Sequence, residues 1–537
     1  MHSNDTTASD LDKLITIQEQ IILHSQETSS VWYMKLGISL SNRFGRVGNL
    51  EDLNRAITLL EKAVQSTPED HPNIPFQLNN LSNSLSTRFD RLGKLEDLNR
   101  VITLREKAVQ STPEHHPNLS SWLNNLGNSL NTRSNRLGNL EDLNRAITLQ
   151  EKAVQYTQED HPHLPSMLNN LANSLSTLFY TIGNLEDLNR AITLREKAMQ
   201  YTPQDHPNLP PWLNNLGNAL VNRFDRLGDL EDLNRAITLQ EKAIQCAPEN
   251  HPNLPFQLSD LGNSLSTRFE RLGNLEDLNR AINLQEKAVQ STPENHPNLP
   301  SQLKDLGKSF STQFNRLGNL EDLNRAIILL EKAVQFTPEN HPDLSSLLNN
   351  LGICFSTRFN RVGNLEDLNR AINLQEKAIQ STPVDHPNLP SWLNNLSSSL
   401  NIQFDRLGNL EDLNRAITLQ ERAIQTTPID HPNLPLRLNN LGNFLGTRFE
   451  KAGSLEDLNR AIILRERAVK STPENHPNLA LQLNNLGNSL STRFDRWGNL
   501  EDLNRAITLE EKAIQHTPED HPNLPTWLSN LGSCLSA

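Results

Sequence analysis

The amino-acid sequence predicts an all-α solenoid, an array of antiparallel helix pairs, and three observations predict it. The hexapeptide Leu-Glu-Asp-Leu-Asn-Arg begins at Leu50 and returns at Leu95, Leu140, Leu185, Leu230, Leu275, Leu320, Leu365, Leu410, Leu455 and Leu500, always 45 residues on. A fixed period in this range marks one supersecondary unit copied end to end, each copy burying its apolar face against its neighbours. Within a copy the large apolar residues fall at helical spacing, as Leu123, Leu126, Leu130 and Leu137 do, or Leu78, Leu81, Leu85, Phe89 and Leu92. Glycine and proline interrupt that spacing at the same two places in nearly every copy, which divides each unit into two helices.

The first helix, A, stops at Gly138 in the copy around residues 121 to 158, because glycine suits the left-handed conformation just past a helix end. Asn139 then offers an N-cap, with Asp142 three residues later. Helix B follows from about Leu140 to Gln155, with Leu140, Leu143, Ile147 and Val154 on one stripe. Glu141 and Asp142 occupy its first turn, where the helix dipole favours acids. Glu141 also lies four residues before Arg145, a spacing that reads as an i,i+4 pair supporting the helix. After helix B, a stretch such as Ser66 to Pro75 carries prolines that remove backbone donors, and it reads as an extended connector. One unit buries too few apolar side chains to offset the entropy of ordering itself, so stability has to come from stacking.

Composition narrows the function. Acidic residues outnumber basic ones, 63 to 50, and no basic block stands out as a phosphate-neutralising footprint, so nucleic acid is not an expected partner. Cys246, Cys354 and Cys534 stand far apart, in no disulfide or metal spacing, as suits a reducing compartment. The polar start from Met1 to Asp10 is not a signal peptide, and no apolar run is long enough to span a bilayer. The expectation is a cytoplasmic protein with no membrane partner. Residues 1–9 are expected to be disordered and 10–537 to form the array. The array opens on a partial helix B at Leu11 to Ile15 and closes on a partial helix A from Trp527 to Leu535. Leu528, Leu531 and Leu535 would then lack a covering layer, which suggests a truncated product or a helix that docks on something else, self-association included.

The register of small residues resembles that of tetratricopeptide repeats. It places a Leu-Gly pair in helix A, at Leu126-Gly127, and two alanines seven apart in helix B, at Ala146 and Ala153. A proline five residues after the second alanine completes it, as from Ala63 to Pro68 and Ala288 to Pro293, with Gln158 a departure. The basic unit of that family has 34 residues, so both helices here are longer by about a turn. The run from Asp205-His206-Pro207-Asn208 into Leu213-Asn214-Asn215-Leu216 is similar to the kinesin-light-chain-like branch, fungal tetratricopeptide proteins included. The resemblance implies a right-handed superhelix of about eleven helix pairs, with helix A lining a concave groove that binds peptides. It also leaves open a cargo adaptor of kinesin-light-chain type, or the repeat portion of a longer enzyme such as a caspase-like protease.

By that resemblance the groove positions are the asparagines of helix A. They read Asn79, Asn80 and Asn83; Asn124, Asn125 and Asn128; Asn169, Asn170 and Asn173; Asn214, Asn215 and Asn218; Asn439, Asn440 and Asn443; Asn484, Asn485 and Asn488. A side-chain amide both donates and accepts, so a ladder of them suits the backbone of an extended peptide. The alternative is that these amides tie adjacent A helices together or simply face water. Lys304 and Lys308, one turn apart, stand where other copies have asparagine and would capture an acidic segment, unless Asp305 neutralises them.

Other recurring residues read as structural. Eleven histidines, His71 and His116 among them, sit one unit apart, too far for one metal to bridge, and each precedes a proline in the loop. Arg88, Arg133, Arg223, Arg268, Arg358, Arg448 and Arg493 form a column broken by Leu178, Gln313 and Gln403; with the Asp or Glu that follows, it reads as an ion-pair ladder. No catalytic constellation rises above the repeat, so neither enzymatic activity nor a cofactor is expected.

Overall fold

The computed structural model describes residues 2–24, 30–248, 251–384, 386–474, 476, 478–518 and 521–537, with no side-chain detail for residues 2–9. Every element among them is a helix, and consecutive helices pack as antiparallel pairs. The chain divides into two compact units, residues 1–272 and 273–537, each a stack of such pairs. The first helix, His2–His24, begins within the segment expected to be disordered.

The copy around Asn139 shows why this sequence makes a hairpin. Its A helix spans Leu119–Leu137 and its B helix Leu140–Gln155. Gly138 takes φ 69° and ψ 21°, a left-handed conformation, and its N–H donates to the Ser134 carbonyl at 2.7 Å. The Asn139 side chain then caps helix B by accepting from the N–H groups of Glu141 and Asp142. Inside the hairpin the two backbones approach closely at Gly127, where an added Cβ would lie 3.1 Å from the Ala146 carbonyl oxygen and 2.6 Å from Gln150 Cγ. Ala146 and Ala153 on the facing helix are fully buried.

The core is shared between copies. Phe89, Leu98 and Ile102 of one copy form a single cluster with Leu126, Leu130 and Ala146 of the next, and Val109 of the first lies against Leu119, Leu123 and Ala153 of the second. Two expected core leucines fall outside it: Leu137 is 56% exposed and Leu140 38%. Both flank the Gly138 turn at the tip of the hairpin.

The proline-rich connector is folded into two successive turns, where the prolines had suggested extended chain. The His71 N–H donates to the Pro68 carbonyl and the Ile74 N–H to the His71 carbonyl, both across three residues. The imidazole completes the second turn, its Nδ1 accepting from the Asn73 N–H at 3.1 Å. The equivalent bond recurs in the other ten loops, from His116 to His521. Four of these rings, in His116, His206, His386 and His521, also stack on the tryptophan six residues on. The histidines thus hold the loop, and no group of three or more metal-ligating side chains occurs among the described residues.

Replacing Gly138 with alanine forces a side chain into the left-handed region and is expected to cost about 1 kcal/mol. Amide exchange in Leu119–Gln155 should quicken accordingly, and unchanged protection there would show that the turn is not held by its backbone conformation.

Candidate interaction face of the A helices

The asparagines of helix A fall into three columns with different surroundings. In the first, Asn124, Asn169, Asn214, Asn439 and Asn484 are buried and Asn79 is half-buried. Several carbonyl oxygens of this column accept from the second-column amide of the following copy: Asn125 to Asn79, Asn170 to Asn124, Asn485 to Asn439 and Asn530 to Asn484, at 2.9 to 3.4 Å. The first two columns therefore tie adjacent A helices together. Asn214 instead donates to Asp260, which also accepts from Asn218.

The third column lies closer to solvent: Asn83 and Asn488 are exposed, and Asn128, Asn173, Asn218 and Asn443 half-buried. Its carbonyl oxygens are held from behind by helix B. Arg105 donates to Asn83, Gln150 to Asn128, Arg195 to Asn173, Gln240 to Asn218 and Arg465 to Asn443, at 2.8 to 3.0 Å. The acceptor half of each amide is occupied, and the N–H₂ half of Asn83, Asn128, Asn173 and Asn443 is what remains for a ligand.

These helix-B donors were not singled out in the sequence. The signal was there: this position reads Arg, Gln, Leu or Glu in an otherwise constant helix, against the Leu-Gly glycine of helix A. Arg105, Arg195 and Arg465 sit there without an acidic hydrogen-bond partner, and burial pushes each guanidinium down to about 10. Arg105 is satisfied by neutral groups, the Asn125 carbonyl and the Ser82 and Ser129 hydroxyls. Glu510 holds the same position in its copy; it is fully buried, neither carboxylate oxygen has a partner, and burial pushes its carboxyl up to about 8.

Among the lysines, Lys304 is half-buried with its Nζ 3.8 Å from Asp305, and Lys308 is exposed. Asp305 thus competes with any acidic ligand for Lys304.

The arginine column is structural in a way that sequence spacing did not show. Its partner is not the residue that follows but an aspartate nine residues on, gripped through two nitrogens: Arg88 to Asp97, Arg133 to Asp142, Arg223 to Asp232, Arg358 to Asp367, Arg448 to Asp457 and Arg493 to Asp502, at 2.6 to 2.9 Å. The remaining nitrogen reaches helix B of the preceding copy, as Arg88 does at Asn54. Hydrogen bonding from Arg493 holds the Asp502 carboxyl below its usual range, whereas burial raises that of Asp322, where Gln313 replaces the arginine. A second ladder corrects the expected Glu141–Arg145 pair. Arg145 reaches Glu106 of the preceding copy at 2.6 Å, and Arg100–Glu61, Arg190–Glu151, Arg370–Glu331 and Arg505–Glu466 repeat it. These pairs are half-exposed and contribute little each, but they cross from layer to layer.

Repeated helical hairpins whose core clusters bridge consecutive copies define a solenoid repeat protein. A family model described as tetratricopeptide repeat matches residues 436–478, a span of one copy, and that copy recurs every 45 residues along the chain. No curated protein matches the sequence significantly. Among solved structures it is similar to the human IFIT1 dimer with PPP-AAAA, at 14% identity, covering 89% of this chain and 94% of that one with a TM-score of 0.45. It is also similar to the APC/C hetero-tetramer Cut9-Hcn1, at 13% identity, 99% and 95% coverage and a TM-score of 0.37. A third is YrrB, titled a TPR protein with an unusual peptide-binding site, at 21% identity, 43% and 96% coverage and a TM-score of 0.29. No helix among the described residues is long and apolar enough to cross a membrane.

Glu510 yields a prediction of sign. Its carboxyl is raised in the folded state, so the stability tied to its proton is complete below about pH 4.5 and is lost as pH rises through about 8. Glu510→Gln should remove that loss and stabilise the Leu500–Gln515 helix at pH 8 more than at pH 5. Equal effects at both pH values, read by amide exchange, would contradict the assignment.

Proposed function

We propose that the chain is a non-catalytic protein-interaction scaffold whose A-helix face holds an extended segment of a partner through the third asparagine column. One observation carries this reading: the carbonyl oxygens of Asn83, Asn128 and Asn173 are occupied by Arg105, Gln150 and Arg195, while Asn83 is exposed and the other two half-buried, which leaves their N–H₂ groups as the donors for a ligand. Such donors suit the carbonyl oxygens of an extended backbone, or carboxylates, and so favour an acidic segment over a basic one. The spacing agrees. Packed helical layers are roughly 8 to 10 Å apart and an extended chain rises about 3.3 Å per residue, so about every third residue meets an amide. The first-column asparagines keep the layers in register and have no part in the recognition. Lys304 and Lys308 extend the acidic preference only where Asp305 releases the first of them.

The test keeps the buried bonds and removes only the donors. Changing Asn83, Asn128 and Asn173 together to aspartate retains an oxygen for Arg105, Gln150 and Arg195 while replacing each N–H₂ with an acceptor. Peptides enriched by the full-length protein from a random library should bind the triple variant at least tenfold more weakly, with the helical content and melting profile preserved. Undiminished binding would remove the proposal.

A further inference from the structure

One copy breaks the rule of the array at its hairpin tip, and a cavity stands there. In ten copies the residue before the last turn of helix A is phenylalanine, from Phe44 and Phe89 to Phe449 and Phe494; in the remaining one it is Ser134. Where the phenylalanine is present its ring packs on the first leucine of the helix-B core, as Phe89 does with Leu98. An arginine 47 residues on then lies over its face: Arg136 over Phe89, Arg226 over Phe179, Arg271 over Phe224 and Arg496 over Phe449, at 5.5 to 6.0 Å. At Ser134 both parts are missing together, because the residue 47 on is Thr181. The result is a cavity of about 420 Å³, floored by Leu140 and Leu143 and walled by Ser134, Thr177, Tyr180 and Thr181.

The surroundings are built, not merely vacated. Tyr180 replaces the acid, asparagine or glycine that other copies carry at its position, and lies 5.7 Å from Phe179 with its ring tilted. Its hydroxyl accepts from Asn222 at 2.6 Å, and Asn222 replaces the threonine common at that position. Two departures from the repeat, 42 residues apart, thus hold each other and fix one wall. The Ser134 hydroxyl donates to the Asn139 carbonyl at 2.8 Å, which satisfies it within the hairpin and keeps it from crossing the cavity. Tyr180, which lines the cavity, is 67% exposed and so presents its ring to solvent.

We infer that this cavity is an anchor pocket for the phenyl ring of an aromatic side chain on a partner protein. The chain itself supplies the argument for that occupant. In other copies the chain's own phenylalanine packs on the leucine equivalent to Leu143, as Phe89 does on Leu98 and Phe179 on Leu188, so the cavity keeps a leucine that a benzyl group normally covers and has room for one. An aromatic ring entering from outside regains the packing that Ser134 gives up, and Tyr180 offers it an edge or a face at the mouth. The volume lies in the usual range of small-ligand sites. This inference stands apart from the amide face, since none of its residues belongs to the asparagine columns.

Toluene and 4-methylphenol, the bare side chains of phenylalanine and tyrosine, are the probes, titrated into the full-length protein and read by ligand-observed NMR. Saturable binding is expected, with N-acetyl-phenylalaninamide competing and its alanine counterpart failing to compete. Ser134→Phe should fill the pocket, abolish binding and raise the melting temperature; the double change S134F with T181R restores the arrangement of the other copies and guards against a misfit of the single variant. Absence of saturable binding by the unaltered protein, or undiminished binding by both variants, overturns the site. Binding of toluene without competition by N-acetyl-phenylalaninamide overturns the assignment to a side chain.

Discussion

Everything in this molecule depends on a core that no copy owns. The apolar stripe of helix B is finished only when helix A of the following copy lies on it, as Leu98 and Ile102 are finished by Leu126 and Leu130. The hydrophobic term therefore rewards stacking and gives a lone hairpin little. The fixed distance of helix A from helix B within a hairpin, set where Gly127 meets the Ala146 carbonyl, is what allows consecutive stripes to meet in register.

Polar contacts follow from that register and reinforce it. Once the layers are stacked, offsets of 34, 39 and 46 residues become neighbours, and each offset carries its own bond: arginine to asparagine, arginine to glutamate, amide to amide. None of these is strong alone, the exposed pairs least of all. Their repetition penalises a slip of one layer against the next, because a shift breaks every one at that junction together. The buried position filled by Arg105, Gln150, Arg195 or Glu510 belongs to the same logic, and its variation changes how firmly an outer asparagine is held without altering the hairpin.

The end of helix A and both ends of helix B were legible in the sequence, as at Leu137, Leu140 and Gln155, because glycine and asparagine act locally. Gly138 by its backbone conformation and Asn139 by its side-chain cap need only groups within the same hairpin to end one helix and start the next. The first helix, His2–His24, and the last, Leu524–Ser536, instead run beyond the Leu11–Ile15 and Trp527–Leu535 expected of them. The partners of polar side chains were not legible, and the reason is the period itself. When every copy carries the same glutamate and arginine, the residue four away and the residue 39 away are equally good candidates on paper, and only stacking makes Arg145 choose Glu106 over Glu141. The asparagine columns show the same limit: sequence placed them on one helix but did not separate those between layers from those facing out. The reverse holds at Ser134, where a break in the repeat was plain in the sequence but the cavity it leaves appears only with the second break at Thr181 beside it.

The shared core is tested most directly by amide exchange on the full-length protein carrying Leu216→Ala. Leu216 lies in the Leu209–Leu227 helix but packs in one cluster with Phe179, Leu188 and Ile192 of the preceding copy. The truncation should cost about 2 to 5 kcal/mol and loosen the Leu185–Gln200 helix as much as its own hairpin. Faster exchange confined to Leu209–Cys246 would show that copies fold on their own and that the account of a core held in common is wrong.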